Sequence, residues 1–374
     1  MDALVTDVNL RYAVAGLRGL ARSGLEVAAL APRRTAAGLW SRYPAAREVG
    51  PDAEHEPEAF AHRVGEIARA RGPLMVYPCH ERSIDALFDA SLPPDARLPY
   101  PGREPLRKLR DKRSLGALAP GAGLASPGVL AEGTAGEMRA NPPPTPCVVK
   151  PVGAPGALVS AQVAPTAAAL DALLARLPEG ERLLAQECLG GSLVGLALVV
   201  DREGGVAARF QQKALRTWPP DAGGSSLAVG VEPDDELVER VVTLLRAAGY
   251  WGLAHLQFLG GRDGPVLIDV NPRFYGSLPL AIASGVDLAA AWHAVATGAK
   301  PPRPSRYRVG VTYRWLEGDV TAAWNGDRRR LLRRAPRPRV GAMWSAEDPA
   351  PSTILAAEAT WARVSKRLPG ARRR

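Results

Sequence analysis

Cysteine is scarce in this chain of 374 residues, and Cys79, Cys147 and Cys188 lack the paired spacing of a zinc site or a disulfide framework. They read as buried or inert thiols. No apolar run approaches the roughly 20 residues that a membrane helix needs, the cleanest being Leu193 to Val200, so no membrane span is expected. The opening MDALVTDVNL has no basic stretch and carries Asp2 and Asp7, unlike a secretion signal; the expectation is a cytoplasmic protein. The turn after the first strand, Asp7 to Tyr12, has no glycine, which argues against a dinucleotide-dependent enzyme.

What is present is length enough for two or three packed units and a formal charge of +10 that is unevenly placed. Residues 300–374 hold 18 Lys and Arg against 6 Asp and Glu, leaving the remainder near −2. No aromatic platform is interleaved with these cations, so they read as solvated surface rather than a nucleic-acid site. His55, His62, His80 and His293 have no acid or second histidine at useful spacing and read as structural or surface residues.

The chain opens as a β-α-β unit: apolar Ala3 to Thr6, a helix carrying Val14, Leu17, Leu20 and Ala21 at helical spacing, then the strand Leu25 to Leu30. This pattern predicts a parallel sheet covered by helices. A further strand, Leu74 to Tyr77, ends at Pro78 before a helix entered through His80 and Glu81. Cys147 to Pro151 reads as a β-branched strand after the proline loop Asn141 to Pro146. Strand, turn and strand signals then run from Leu183 to Gln211, before a helix from Asp234 to Ala248 stopped by Gly249. Val309 to Trp315 has the pattern of a strand returning to the body, and Arg328 to Arg339 is basic and broken by proline.

The stretch Gly252 to Arg273 carries the most chemistry. Ala254, Leu256 and Phe258 alternate with His255 and Gln257, and Val266, Ile268 and Val270 alternate with Asp269 and Asn271. A symmetric hairpin about Arg262 sets His255 opposite Asp269 and Gln257 opposite Leu267, with His255, Gln257, Asp269 and Asn271 on one face. Oxygen donors on one sheet face, followed at once by Arg273, suit magnesium bridging phosphates beside a guanidinium that neutralises transferring charge. A sheet with one wet face would alternate in the same way. Lys150, at a strand end before Gly153 and Gly156, has the reach and backbone freedom to meet a phosphate. Lys112 by itself reads as a solvated helix face.

Together these residues resemble the ATP-grasp superfamily, in particular its carboxylate-amine ligase-like members built like biotin carboxylase and the carbamoyl phosphate synthase large subunit. LIDVNPRFYGSLPLAIASGVDL looks like the family's metal-and-arginine strand with its following helix. CVVKP and LRDKRSL resemble the segments bearing the two phosphate-contacting lysines, Lys150 and Lys112. LLAQECLGG looks like the adenine-holding hinge, where Glu187 and Leu189 take the family's positions. RFQQKALRTWPPDAGGSS is similar to the strand and loop that bring a basic residue to the γ-phosphate, with Arg216 the choice and Lys213 its rival.

The resemblance implies an α/β chain, α+β in its ATP-grasp part. Its parts are a Rossmann-like pre-ATP-grasp domain over 1–108, ATP-grasp subdomains over 109–185 and 186–300, and a basic extension over 301–374. It implies ATP and Mg2+, or Mn2+ in its place, with Asp269, Asn271 and Gln257 as metal ligands and Arg273 and Arg216 as catalytic residues. The implied activity is ADP-forming C–N ligation through an acyl phosphate, on a small-molecule carboxylate and amine. The alternative is an impaired ATP-binding sensor or scaffold, and a homodimer is compatible with either. Ser41, Arg42 and Glu81 lie in first-domain segments where the family holds substrate, and the segments around Gly153 and Gly223 take the place of lids. The sequence departs from the family in three places: Gln257 stands where an acid is usual, Asp269 replaces the commoner Glu, and the loop after Lys150 lacks a serine.

Overall fold

The structure is a computed structural model that describes residues 1–152, 156–158, 160–219, 223–261, 264–301, 306–324 and 339–365. Gly153, Arg262, Pro302, Pro304 and nearly all of the basic stretch from Arg328 lie outside the described residues.

The first layer is a parallel sheet of β1 (Ala3–Val5), β2 (Val27–Ala31), β3 (Ala46–Val49), β4 (Leu74–Tyr77) and β5 (Ala96–Arg97), in the order β3-β2-β1-β4-β5. Helices α1 (Arg11–Arg22), α2 (Pro57–Arg71) and α3 (Glu81–Asp89) connect its strands. β1, β2 and β4 are apolar and buried throughout, as helix-covered parallel strands must be. Asp7, just past β1, takes the left-handed conformation at φ 58°. Its carboxylate accepts hydrogen bonds from Cys79 N (3.0 Å), His80 N (3.1 Å) and Ser83 Oγ (2.7 Å). These bonds fasten the β1–α1 loop to the start of α3 and offset the backbone strain.

Helices α4 (Arg103–Arg110) and α5 (Lys112–Leu118) lead into an antiparallel sheet of β6 (Val129–Thr134), β7 (Cys147–Pro151), β8 (Gln162–Ala164) and β9 (Arg182–Glu187), ordered β6-β9-β7-β8. Helices α6 (Ala135–Ala140) and α7 (Ala167–Leu174) cover it. The chain leaves this sheet at Glu187 and enters a second one at Ser192, with Gly191 at φ 139° between them.

That second sheet contains β10 (Ser192–Val200), β11 (Val206–Trp218), β12 (Gly224–Val231), β13 (Gly252–Gly261), β14 (Gly264–Asn271), β15 (Thr312–Arg314) and β16 (Arg339–Gly341), ordered β14-β13-β10-β11-β12-β15-β16. The returning chain beyond residue 300 is therefore part of the body, since β15 pairs antiparallel with β12. Helix α8 (Asp235–Ala248) is capped by the Asp234 carboxylate, which accepts from Leu237 N (3.1 Å), and ends at Gly249 with φ 72°. Helices α9 (Leu278–Ser284), α10 (Leu288–Thr297), α11 (Leu316–Trp324) and α12 (Ala350–Ser365) are the remaining helices among the described residues. Among the described residues no single helix is long and apolar enough to cross a membrane.

One hydrophobic core runs from the parallel sheet through α1, α9 and α10 into the seven-stranded sheet. Phe274 sits at its centre, stacked on Tyr77 (5.5 Å between centroids) and edge-on to Trp292 (5.3 Å). Gly16 of α1 makes room for it, since a Cβ there would lie 2.2 Å from the Phe274 ring. The residue after Arg273 is thus pinned between the two halves of the molecule.

Candidate functional site

The hairpin of β13 and β14 faces its polar residues the expected way, but its register differs. Gln257 pairs with Asp269 and His255 with Asn271, because a bulge at Ile268 inserts one extra residue before Phe258 meets Leu267. The bulge also exchanges the places of the flanking apolar residues. Leu267 joins Phe258 in the core, whereas Val266 is only half-buried. Gln257, Asp269, His255 and Asn271 still share one face, because directly paired residues point to the same side of a sheet.

Asp269 is the centre of this face. One carboxylate oxygen is ion-paired with Lys112 at the start of α5, and the other accepts from Asn271 Nδ2 at 2.8 Å. Lys112 is placed by its own cap: Asp111 accepts from Ser114 N at 2.7 Å, which starts α5 at this residue. Burial acts to raise the Asp269 pKa, but Lys112, then Lys150 and Asn271, outweigh it and hold it at about 2. Lys150, at the end of β7 in the four-stranded sheet, reaches across to donate to the carbonyl of the bulged Ile268 (3.2 Å). Burial and the like charge of Lys112 lower its pKa to about 8, with Asp269 opposing. The two sheets therefore meet where two lysines, one carboxylate and two amides gather.

Arg273 leaves this edge and turns toward the parallel sheet. Its Nε donates to Glu81 Oε1 at 2.8 Å, and its guanidinium lies 4.9 Å from the Tyr12 ring centroid. Glu81 is shared with Arg110 (2.5 Å), which also holds Asp85 through two bonds of 2.6 and 3.0 Å. Burial alone would lower the Arg273 pKa, but Glu81 and Tyr12 reverse the direction and keep it charged. Arg110 and Tyr12 carried no sequence signal, since their parts follow only from contact with Arg273 and Glu81.

Other candidates lie elsewhere. At the crossing between sheets, Glu187 N donates to Gly128 O and Glu187 Oε2 accepts from Gly128 N, both at 3.0 Å, while Leu189 is half-buried just beyond. Gly156 abuts Glu181, whose carboxylate a Cβ would meet at 2.2 Å. Ser41 and Arg42 hold another carboxylate of the chain itself. Asp348 accepts from Ser41 Oγ (2.7 Å), Arg42 N (2.9 Å) and Arg18 Nε (2.8 Å), which fastens the C-terminal segment to α1.

Arg216 is not brought to Asp269. Irregularities in β11 place it opposite Leu227, out of phase with Gln212, whose partner is Gly230. There it pairs with Asp319 of α11, which also accepts from Arg314 Nε at 2.7 Å. Its rival Lys213 is exposed and alternates away from Gln212 in the same strand.

A family model described as "ATP-grasp in the biosynthetic pathway with Ter operon" matches residues 207–319. Biotin carboxylase from Campylobacter jejuni, solved with β,γ-ATP, superposes with a TM-score of 0.62 at 14% identity, over 83% of this chain and 74% of that one. N5-carboxyaminoimidazole synthetase from Staphylococcus aureus gives 0.62 at 12% identity over 82% and 80%. L-amino acid ligase from Bacillus licheniformis gives 0.56 at 17% over 81% and 75%. No curated protein matches the chain by sequence.

Proposed function

We propose, from the premise that this chain has the ATP-grasp fold, that it is an ATP-dependent ligase joining a small-molecule carboxylate to an amine or related nucleophile. The observation that carries this reading is the gathering of Lys112, Lys150, Gln257, Asp269 and Asn271 where the four-stranded and seven-stranded sheets meet, with Arg273 two residues on from Asn271. ATP lies between the four-stranded and seven-stranded sheets, with adenine at Glu187 and Leu189 and the triphosphate held by Lys112 and Lys150.

The donor set fits magnesium. One carboxylate, ionised down to a pH of about 2, and two neutral amide oxygens make an incomplete cage, and magnesium binds through few protein oxygens while phosphates and water complete its shell. Among the described residues no three Asp, Glu, His or Cys converge, which agrees with a metal that arrives with the nucleotide. Asp269, Asn271 and Gln257 would hold it; when bound, magnesium or manganese supplies charge neutralisation across the phosphate oxygens.

In the first step the substrate carboxylate attacks the γ-phosphorus and the bond to ADP breaks. Positioning and neutralisation dominate such a transfer. Lys150 and Arg273 supply them, and Glu81 and Arg110 fix the Arg273 guanidinium in place. The amine then attacks the acyl carbon and phosphate leaves. Arg216, committed to Asp319, takes no part in this scheme unless that pair opens. The cytoplasmic nucleotide pool would serve such an enzyme.

The test is ADP release with a panel of carboxylic acids, using hydroxylamine to trap acyl phosphate. ADP formation that depends on an added acid, with kcat falling about 100-fold or more in Arg273→Ala and ATP affinity little changed, is the expected result. Equal loss of both would contradict the role of Arg273. One observation, Gln257 in place of an acid, favours a second reading as an ATP-binding sensor or scaffold; tight ATP binding with no ADP formed from any acid would select it.

A further inference from the structure

The loop after Arg273 crosses the seven-stranded sheet instead of turning back. Tyr275 stacks on His255 of β13 (4.1 Å, 3° between planes), Ser277 Oγ accepts from Gln212 Nε2 of β11 (2.7 Å), and Gly276 O accepts from the Tyr313 hydroxyl of β15 (2.9 Å). Against its far end lies Arg11, the first residue of α1, whose guanidinium carbon is 3.8 Å from the centroid of the Trp315 ring. Gly276 is needed there: a Cβ would come within 2.7 Å of Arg11 Nη2.

Arg11 differs from the other arginines around it. Arg273 and Arg110 share Glu81, Arg216 and Arg314 share Asp319, and Arg18 holds Asp348. Among the described residues no carboxylate pairs with Arg11, and its buried Nε has no hydrogen-bond partner. A half-buried guanidinium without a counter-charge is costly. Stacking on an indole face orients it beside the Tyr313 hydroxyl, which takes one of its donors, and leaves its charge without an anionic complement. Gly276 is three steps along the chain from Arg273, a span of at most about 11 Å, so a small molecule can touch both ends of the loop.

We propose that Arg11, braced by Trp315, holds a substrate carboxylate other than the one that is activated. The inference rests on the ligase reading above. It makes the substrate pair one with a spare carboxylate, supplied by a dicarboxylic acid or by an amino acid acting as the amine. It also gives Trp315, from beyond residue 300, a direct part in substrate choice.

Two arms of one assay separate the sources. In the first, ADP release and hydroxamate formation are measured with succinate, glutarate and L-glutamate against butyrate, valerate and L-norvaline. In the second, with the acid fixed, glycine and L-alanine are compared with ethylamine and alaninamide. The expected result is a requirement for the spare carboxylate in one arm. Arg11→Ala should raise KM for that substrate about 30-fold or more, leaving kcat within about threefold, with Arg11→Lys intermediate and Trp315→Leu milder. Substrates lacking the spare carboxylate working equally well in both arms, or an unchanged KM in Arg11→Ala, would overturn the proposal. Should wild type bind ATP yet form no ADP with any acid, the ligase reading falls, and calorimetry with glutarate and glycine on wild type and Arg11→Lys decides Arg11 separately. Affinity that is absent, or unaffected by the substitution, would then sink it.

Discussion

Two acidic residues on the seven-stranded sheet and its flanking helix gather basic partners, and they do opposite things. Asp319 is sealed, with no side-chain exposure, between Arg216 at 8% and Arg314 at 15%. Asp269 pairs with Lys112 at an open edge, where the two side chains keep 30% and 23% of their exposure. A sealed cluster has no room for another ion and pays for its desolvation through mutual pairing. An open one leaves room for a ligand, as the proposed nucleotide site requires. Residue type does not distinguish the two; solvent access does.

The contrast is broken most strongly at the sealed end. Asp319→Ala leaves two buried guanidinium groups without a counter-charge and should cost about 3–5 kcal/mol of stability, read as a lowered urea midpoint. Asp269→Asn should cost about 1 kcal/mol or less while abolishing magnesium-dependent nucleotide turnover. Comparable stability losses at the two sites would erase the distinction.

A smaller effect sharpens the open end through pH. The folded pKa of Lys150 is lowered to about 8 by burial and Lys112, so its charge is present below that value and lost as pH rises through it, well before an ordinary lysine titrates. Turnover should fall above pH 8, and Lys150→Arg should flatten that limb. Stability moves the other way: between about pH 8 and the lysine reference value of about 10.4 the unfolded chain binds the extra proton, so this group's contribution to stability rises with pH. A pH profile identical in Lys150→Arg would remove Lys150 from the phosphate site. The smallest effect belongs to Gln257→Glu, which adds a second carboxylate opposite Asp269 and should tighten apparent magnesium affinity by about tenfold or less. Weaker affinity would mean that Gln257 does not face the ion.

The polar face of the β13–β14 hairpin was legible because strand alternation is local and needs only a few neighbouring residues. Its register was not. The bulge at Ile268 carries no glycine or other turn signal, and pairing numbers depend on it. Arg216 shows the stronger limit. In sequence its strand resembles one that brings a cation to phosphate, yet its partner Asp319 lies 103 residues further on, and irregular pairing in β11 turns it away from the Gln212 row.

By itself the sequence determined the parallel opening sheet, the strands and caps around α8, and the polar face of the β13–β14 hairpin, all of which follow from short-range periodicity; Lys112 and Lys150 were joined to that face only by the resemblance of their segments to a family. The tertiary structure alone decided which charges are open and which are sealed. Arg273 meets Glu81 across 192 residues, and Arg11 stacks on Trp315 from the opposite end of the chain. Such pairings are set by how layers close on one another and by the access to water they leave, and that information resides in no local stretch of chain.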